Sequence, residues 1–238
     1  MNLLLANSLW DGFVGSNFMG QAIVYVQVAG SLLMFAAIFG KWCELNHLYR
    51  ATRQFLRDFT SYGDVIEYYM QRRPQGDSGI EGIYKETCER LIKLAAPDMR
   101  AMMNGSTGAH ALTSREIELV RGTCEHRLDE EEVRLEHGMG LIATIVALSP
   151  MLGLLGTVWG VLDAFAEMGT AGSANLATIA PSISAALVTT VVGLLVAIPG
   201  VCFHNRFNSQ IRSIATDFEG FADELTSRIA CEYQGKSV

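Results

Sequence analysis

Apolar positions along the chain fall into three long blocks and two periodic stripes. Phe18–Phe39, Met139–Leu162 and Leu176–Phe203 run for 22, 24 and 28 residues without a charged side chain. A helix that crosses a bilayer needs about 20 mostly apolar residues, so each block predicts one spanning helix. After the third block, Phe207, Ile211, Ile214, Phe218, Phe221, Leu225 and Ile229 recur at steps of three and four. That heptad-like seam predicts one long helix continuing the third span. It can pack on the chain's own helices or on a neighbouring subunit; spacing does not choose.

The stretch between the first two spans reads as helices. Glu44–Arg73 is rich in helix formers and stops at RRPQGDSG, a turn signal. Ile80–Ala96 is a second helix, ending near Pro97, and NGSTG at 104–108 is a loop. Thr113 three residues before Glu116 fits a capping box, from which a helix can run unbroken into the second span. Its apolar stripe is Ile117, Val120, Cys124, Leu128 and Leu135, with Asp129–Glu132 as a solvated face. The N-terminal MNLLLANSLWDGF reads as a short interfacial helix.

Composition places the chain in the membrane class. Half of its residues are hydrophobic and 18% are charged. All 18 Lys and Arg lie in two segments, fourteen from Lys41 to Arg134 and four from Arg206 to Lys236. Cytoplasmic flanks of spans collect these residues. The expected layout is an external interfacial segment 1–17, spans at 18–40, 138–162 and 176–203, a cytoplasmic helical domain 41–137, an external hairpin 163–175 and a cytoplasmic C-terminal helix 204–238. The fold class is thus an all-α membrane protein, with spans extended into a helical cytoplasmic domain. The N-terminus lacks the basic region of a cleavable signal. The net charge of −7 says little about partners by itself, but its acidic excess lies mostly in the expected cytoplasmic part, which argues against nucleic acid. The five Cys have no paired spacing and read as reduced thiols.

Covalent and metal chemistry find little support, and the chain reads as a non-enzyme. NGSTG lacks the lysine and spacing of a phosphate loop. Cys124, His126 and His137 do not make a closed metal set. The chemistry sits in the spans. Gly153, Gly156 and Gly160 give the second span a face for close helix approach, and Gly193 adds to it on the third. Those small faces, with the heptad-like seam, motivate a cyclic homo-oligomer. Pro150, Pro181 and Pro199 predict kinks. Hydroxyls at Thr157, Thr189 and Thr190 lie in charge-free runs, and the nearest carboxylates, Asp163 and Glu167, stand at the external end. The bland reading bonds each hydroxyl to its own helix. The functional one makes them a shell for an ion whose carboxylate comes from another chain, since a chain conducting alone would be expected to carry a buried ionisable group.

Two strings carry a resemblance. LGLLGTVWG at 152–160, followed by Ala164 and Phe165, and APSISAALVTTVVGLLVAIP at 180–199 resemble the signature of the TolQ/ExbB/MotA proton-channel family. Three spans resemble its TolQ/ExbB branch. The resemblance implies a homo-oligomeric ring, a homopentamer, around the single spans of two TolR/ExbD-type subunits carrying a membrane Asp. Ion flow, of H+, then energises a TolA- or TonB-type protein from the bacterial inner membrane, with no cofactor or metal beyond the transported ion. Thr157 and Thr190 match the family's path-lining threonines. Thr189, about 100° around the helix, is expected to face another surface and to tolerate substitution. The family's common glutamate is replaced here by Ala185. A non-conducting scaffold for envelope proteins, needing the glycines but not the threonines, and a gliding-motility motor subunit stay open. A permease would call for more spans or inverted repeats.

Overall fold

The apolar blocks become the membrane-length parts of three helices. The computed structural model describes residues 17–61, 65–72, 76–103, 112–171 and 176–233. The expected interfacial helix and the NGSTG loop lie outside them. The elements are α1 (Phe18–Thr60), α2 (Val65–Arg72), α3 (Gly79–Met103), α4 (Ser114–Glu136), α5 (Met139–Ala171) and α6 (Leu176–Tyr233). Every regular element among the described residues is helical, and α1, α5 and α6 each carry a stretch long and apolar enough to cross a membrane. The chain divides into two compact units, one of Met1–Trp42 with Gly138–Phe207 and one of Cys43–His137 with Asn208–Val238.

Several boundaries differ from the sequence expectation. The helix expected over Glu44–Arg73 is two, because α1 stops at Thr60 and α2 starts at Val65. The break lets aromatic rings of both meet: Phe59 and Tyr68 lie 5.8 Å apart, edge to face. Helix α3 does not end near Pro97 but continues to Met103; proline's fixed φ is compatible with a helix, although its ring costs the ladder one bond and crowds the preceding turn. The segment expected as an external hairpin is helical from Asp163 as far as Ala171. Helix α4 does not run unbroken into the second span. Thr113 caps it as expected, accepting from Glu116 N–H at 3.3 Å while Glu116 Oε2 accepts from Thr113 N–H at 2.8 Å. It then closes at Gly138, whose φ of +83° is left-handed and suits only a residue without a side chain.

The second unit is built on aromatic packing. Phe55 and Phe59 of α1, Tyr68 of α2, Tyr84 of α3 and Phe221 of α6 form one cluster, with Phe59 and Phe221 centred 5.1 Å apart and Phe55 and Tyr84 5.5 Å apart. Such pairs add about 0.5–1.5 kcal/mol each beyond area burial. Tyr84 Oη donates to Val65 O at 2.6 Å, meeting the polar end of a buried ring. Every residue of the heptad-like seam is buried. From Phe218 on it packs on the chain's own α1 and α3, which answers the question that spacing left open. Cys88 faces the same core, and burial pushes its thiol up to about 12, leaving it protonated.

The expected solvated face of α4 contains a buried carboxylate. Glu131 is 3% exposed. Its Oε2 accepts Gly79 N–H at 2.9 Å, at the start of α3, and its Oε1 lies 3.1 Å from Arg127 and 3.7 Å from Arg134. An acidic side chain can be buried when each of its acceptors has a donor. The flanking Glu132 lacks such partners. Partial burial, with Glu219, Asp129 and Glu136 around it, holds its carboxyl above the usual glutamate range. A raised folded-state pKa means a contribution that is present below the unfolded value and lost as pH rises through the folded one. Glu132→Gln is therefore expected to stabilise the unit at pH 7 by about 0.3–0.5 kcal/mol and to give no gain near pH 4, read by thermal unfolding at the two pH values.

Candidate ion-path site

The glycines of α5 let its backbone lie directly on α6. A Cβ on Gly153 would stand 2.8 Å from Thr190 Cα, and one on Gly156 would meet the Thr189 side chain, with its Cβ at 2.7 Å. A Cβ on Gly160 would meet the methyl of Ala186. Close approach is what small residues provide between membrane helices. The expectation that these faces serve assembly between subunits is thereby changed, because they are occupied inside one chain.

Close approach brings the threonines of α6 to a backbone acceptor of α5. Thr189 is 1% exposed, and its Oγ1 donates to Ala186 O at 2.7 Å with Gly153 O at 3.2 Å. Half-buried Thr190 donates to the same Gly153 O at 2.8 Å. Thr189 thus does not face another surface; it sits deeper in the seam than Thr190. Thr157 lies one turn after Gly153, half-buried, with its Oγ1 donating to Leu154 O at 2.8 Å. The structure therefore brings Thr190 to α5 and leaves Thr157 bonded within its own helix. In both, the hydroxyl hydrogen is engaged by a backbone carbonyl, and what each presents outward is lone pairs. Such a surface accepts hydrogen bonds or coordinates a cation.

Polar contacts close the end of the unit where Asn17 and Asp163 meet. The Asn17 amide donates to Asp163, and Ser182 Oγ donates to Glu167 Oε2 at 3.0 Å. Just inside, buried Ala185 borders a cavity of about 10 Å³ shared with Gly20, Gly156, Ser182 and Thr189. A glutamate at 185 would have to open the seam between α5 and α6.

One polar residue on α1 escaped the sequence reading. Gln27 is 2% exposed; its Nε2 donates to Ser149 O at 3.2 Å, and its Oε1 is buried without a protein donor. Gly193 makes room for it: a Cβ there would stand 2.9 Å from Nε2. The available signal was an amide in a charge-free run. Further in, the buried residues Met34, Ile38, Ile142 and Val196 are apolar. Pro150 lies inside α5 beside Ser149, and Pro181 and Pro199 lie inside α6.

Comparison with known proteins bears on the whole arrangement. The profile of the MotA/TolQ/ExbB proton channel family matches residues 93–220. The Tol-Pal system protein TolQ of Pseudomonas aeruginosa is 30% identical over 229 residues, which is 94% of this chain and 93% of that one. TolQ of Haemophilus influenzae is 30% identical over 95% of this chain and 96% of its own. The biopolymer transport protein ExbB of Xanthomonas campestris pv. campestris is 31% identical over 82% of this chain and 77% of its own.

Proposed function

Because the chain belongs to the MotA/TolQ/ExbB proton channel family, we propose that it is the wall subunit of a proton-driven motor in the bacterial inner membrane. Five copies form a ring around two single-span TolR/ExbD-type subunits, and the membrane Asp of those subunits supplies the charge that this chain's spans lack. Passage of one charge across 100 mV releases about 2.3 kcal/mol, which the ring converts into work on a TolA- or TonB-type protein. The N-terminus is periplasmic and the C-terminus cytoplasmic, a reading supported by Lys41, Arg134 and Arg206 at the span ends.

The observation that carries this reading is the pair of hydroxyls whose hydrogens are already engaged. Lone pairs at Thr157 and Thr190 favour the protonated form of a partner's carboxyl, which must be neutral to move through a low-dielectric wall. Ring formation itself draws no support from the glycine face or the heptad-like seam, both of which pack within one chain. The scaffold reading is favoured by one fact, that Thr157 is bonded inside its own helix.

A substitution series separates the two. Thr157→Val and Thr190→Val are each expected to reduce ion-driven work about fivefold, the loss of one buried neutral hydrogen bond of roughly 1 kcal/mol. The ring should still form on native mass spectrometry. Thr144→Val, an exposed residue whose hydroxyl bonds only Gly140 O, is the control; Thr189→Val is unsuitable because it also disturbs packing. The readout is complementation of a deletion strain, with membrane levels checked by blot. Full complementation by both variants favours the scaffold.

A further inference from the structure

Polar atoms recur at successive turns inside a single protomer. Asn17, just before α1, continues the face of Gly20 and Gln27 on it; on α5, Asp163, Gly156, Gly153 and Ser149 oppose it; on α6, Ser182, Ala185, Thr189 and Gly193 complete it. The outer layer holds the carboxylates Asp163 and Glu167 with their amide and hydroxyl partners. The next holds the cavity of about 10 Å³ beside Ala185, close to the smallest volume that takes one water. Below it the Gly153 carbonyl receives Thr189 and Thr190. The last holds Gln27, whose Oε1 has no protein donor. From Asn17 to Gln27 is ten residues of chain, about 15 Å of helix and so about half of a bilayer's hydrocarbon core.

An amide buried at that depth with an unmet acceptor is expensive, by several kcal/mol in hydrocarbon, unless a mobile donor reaches it. The apolar residues beneath offer none. We propose that the interior of each protomer holds a hydrated half-channel that admits water and hydronium from the external face and ends at Gln27. It meets the ion path at Thr190, whose hydroxyl shares the Gly153 carbonyl with this interior column while its side chain is half-exposed at the rim. This deepens the motor reading and rests on it for the use of the water, though not for its presence. Ala185 fits the scheme: a small apolar side chain leaves the cavity open where a longer one would fill it.

Two measurements test this. The full chain, labelled with 15N-glutamine and assembled in bilayers, is examined by water-edited solid-state NMR. The Gln27 side-chain amide, identified by its loss in Gln27→Met, should receive magnetisation from water about as fast as exposed Gln54. Transfer as slow as for a dry core amide overturns the site. Proton flux is then measured in proteoliposomes of the complex purified with its native partner. Gln27→Met keeps the side-chain length and removes the amide, and is expected to lower flux about tenfold with ring formation unchanged. If Gln27→Met does not assemble, Gln27→Glu takes its place: it keeps size and polarity, and should make flux depend on pH in the range where a buried carboxyl titrates. Unchanged flux in an assembled Gln27→Met ring overturns the route even where water is present. A wet Gln27 in a ring indifferent to Thr157→Val and Thr190→Val removes the motor reading and leaves the hydrated site standing.

Discussion

Gly156→Leu is expected to leave almost no folded protein in the membrane. The obstacle lies within the chain, since a Cβ at 156 already meets three atoms of the Thr189 side chain. Thr189 cannot swing away without giving up its hydrogen bonds to Ala186 O and Gly153 O, and a β-branched side chain in a helix has few rotamers to offer. Separating the helices instead would break the Thr190 bond to Gly153 and open the contacts at Gly153 and Gly160. Overpacking costs about 1–3 kcal/mol in a well-packed core, and two lost buried hydrogen bonds add about 1 kcal/mol each. A total of this size is a large share of what holds a domain together. The measurement is yield and thermal midpoint of the detergent-solubilised protein. Gly156→Ala should be milder, and Thr189→Ala should partly rescue it by removing Oγ1 and Cγ2. A stable Gly156→Leu monomer that fails only to assemble would return this glycine to the contact between subunits.

Glu131→Leu is expected to be the most damaging single change in the second unit. The carboxylate receives one backbone donor and two guanidinium groups. Leucine fills the space but leaves Gly79 N–H at the start of α3 and half-buried Arg127 with one acceptor fewer. Removing one member of a buried charged pair typically costs 3–5 kcal/mol, because the other is left uncompensated. Arg127 keeps Glu130 and Asp77 O, so about 3 kcal/mol is the expected loss. Glu131→Gln should recover part of it, since its amide oxygen still accepts from Gly79. Chemical denaturation with α3 and α4 probed by hydrogen exchange would show early opening at residues 79–83. Denaturation at the wild-type midpoint in Glu131→Leu would mean that the arginines find substitutes in solvent.

The two cases also show where a sequence speaks and where it does not. Gly156 could be chosen from spacing alone, because two glycines four apart in an apolar run have few other uses. Its partner could not, since Thr189 and Thr190 are adjacent and only helix register against α5 decides which is deeper. Glu131 was misassigned because Asp129–Glu132 is uniformly charged, and charge says nothing of a donor arriving from Gly79, 52 positions away in sequence. The spans were legible because 20 apolar residues have one dominant solution in a bilayer. The seam from Phe207 to Ile229 was legible as a helix, but its partners were set by aromatic rings distributed over α1 and α3. Gln27 was passed over because an amide is no rarity in a span; what distinguishes it is an acceptor left without a donor, a property of packing.

The apolar residues beneath Gln27 have a consequence for the cell's economy of energy. Met34, Ile38, Ile142 and Val196 are buried and apolar, and an ion entering among them would lose its hydration with nothing offered in exchange. Three hydrocarbon side chains and one thioether therefore make that part of the unit an insulator. A membrane can hold many copies of such a unit without losing its ion gradient through them.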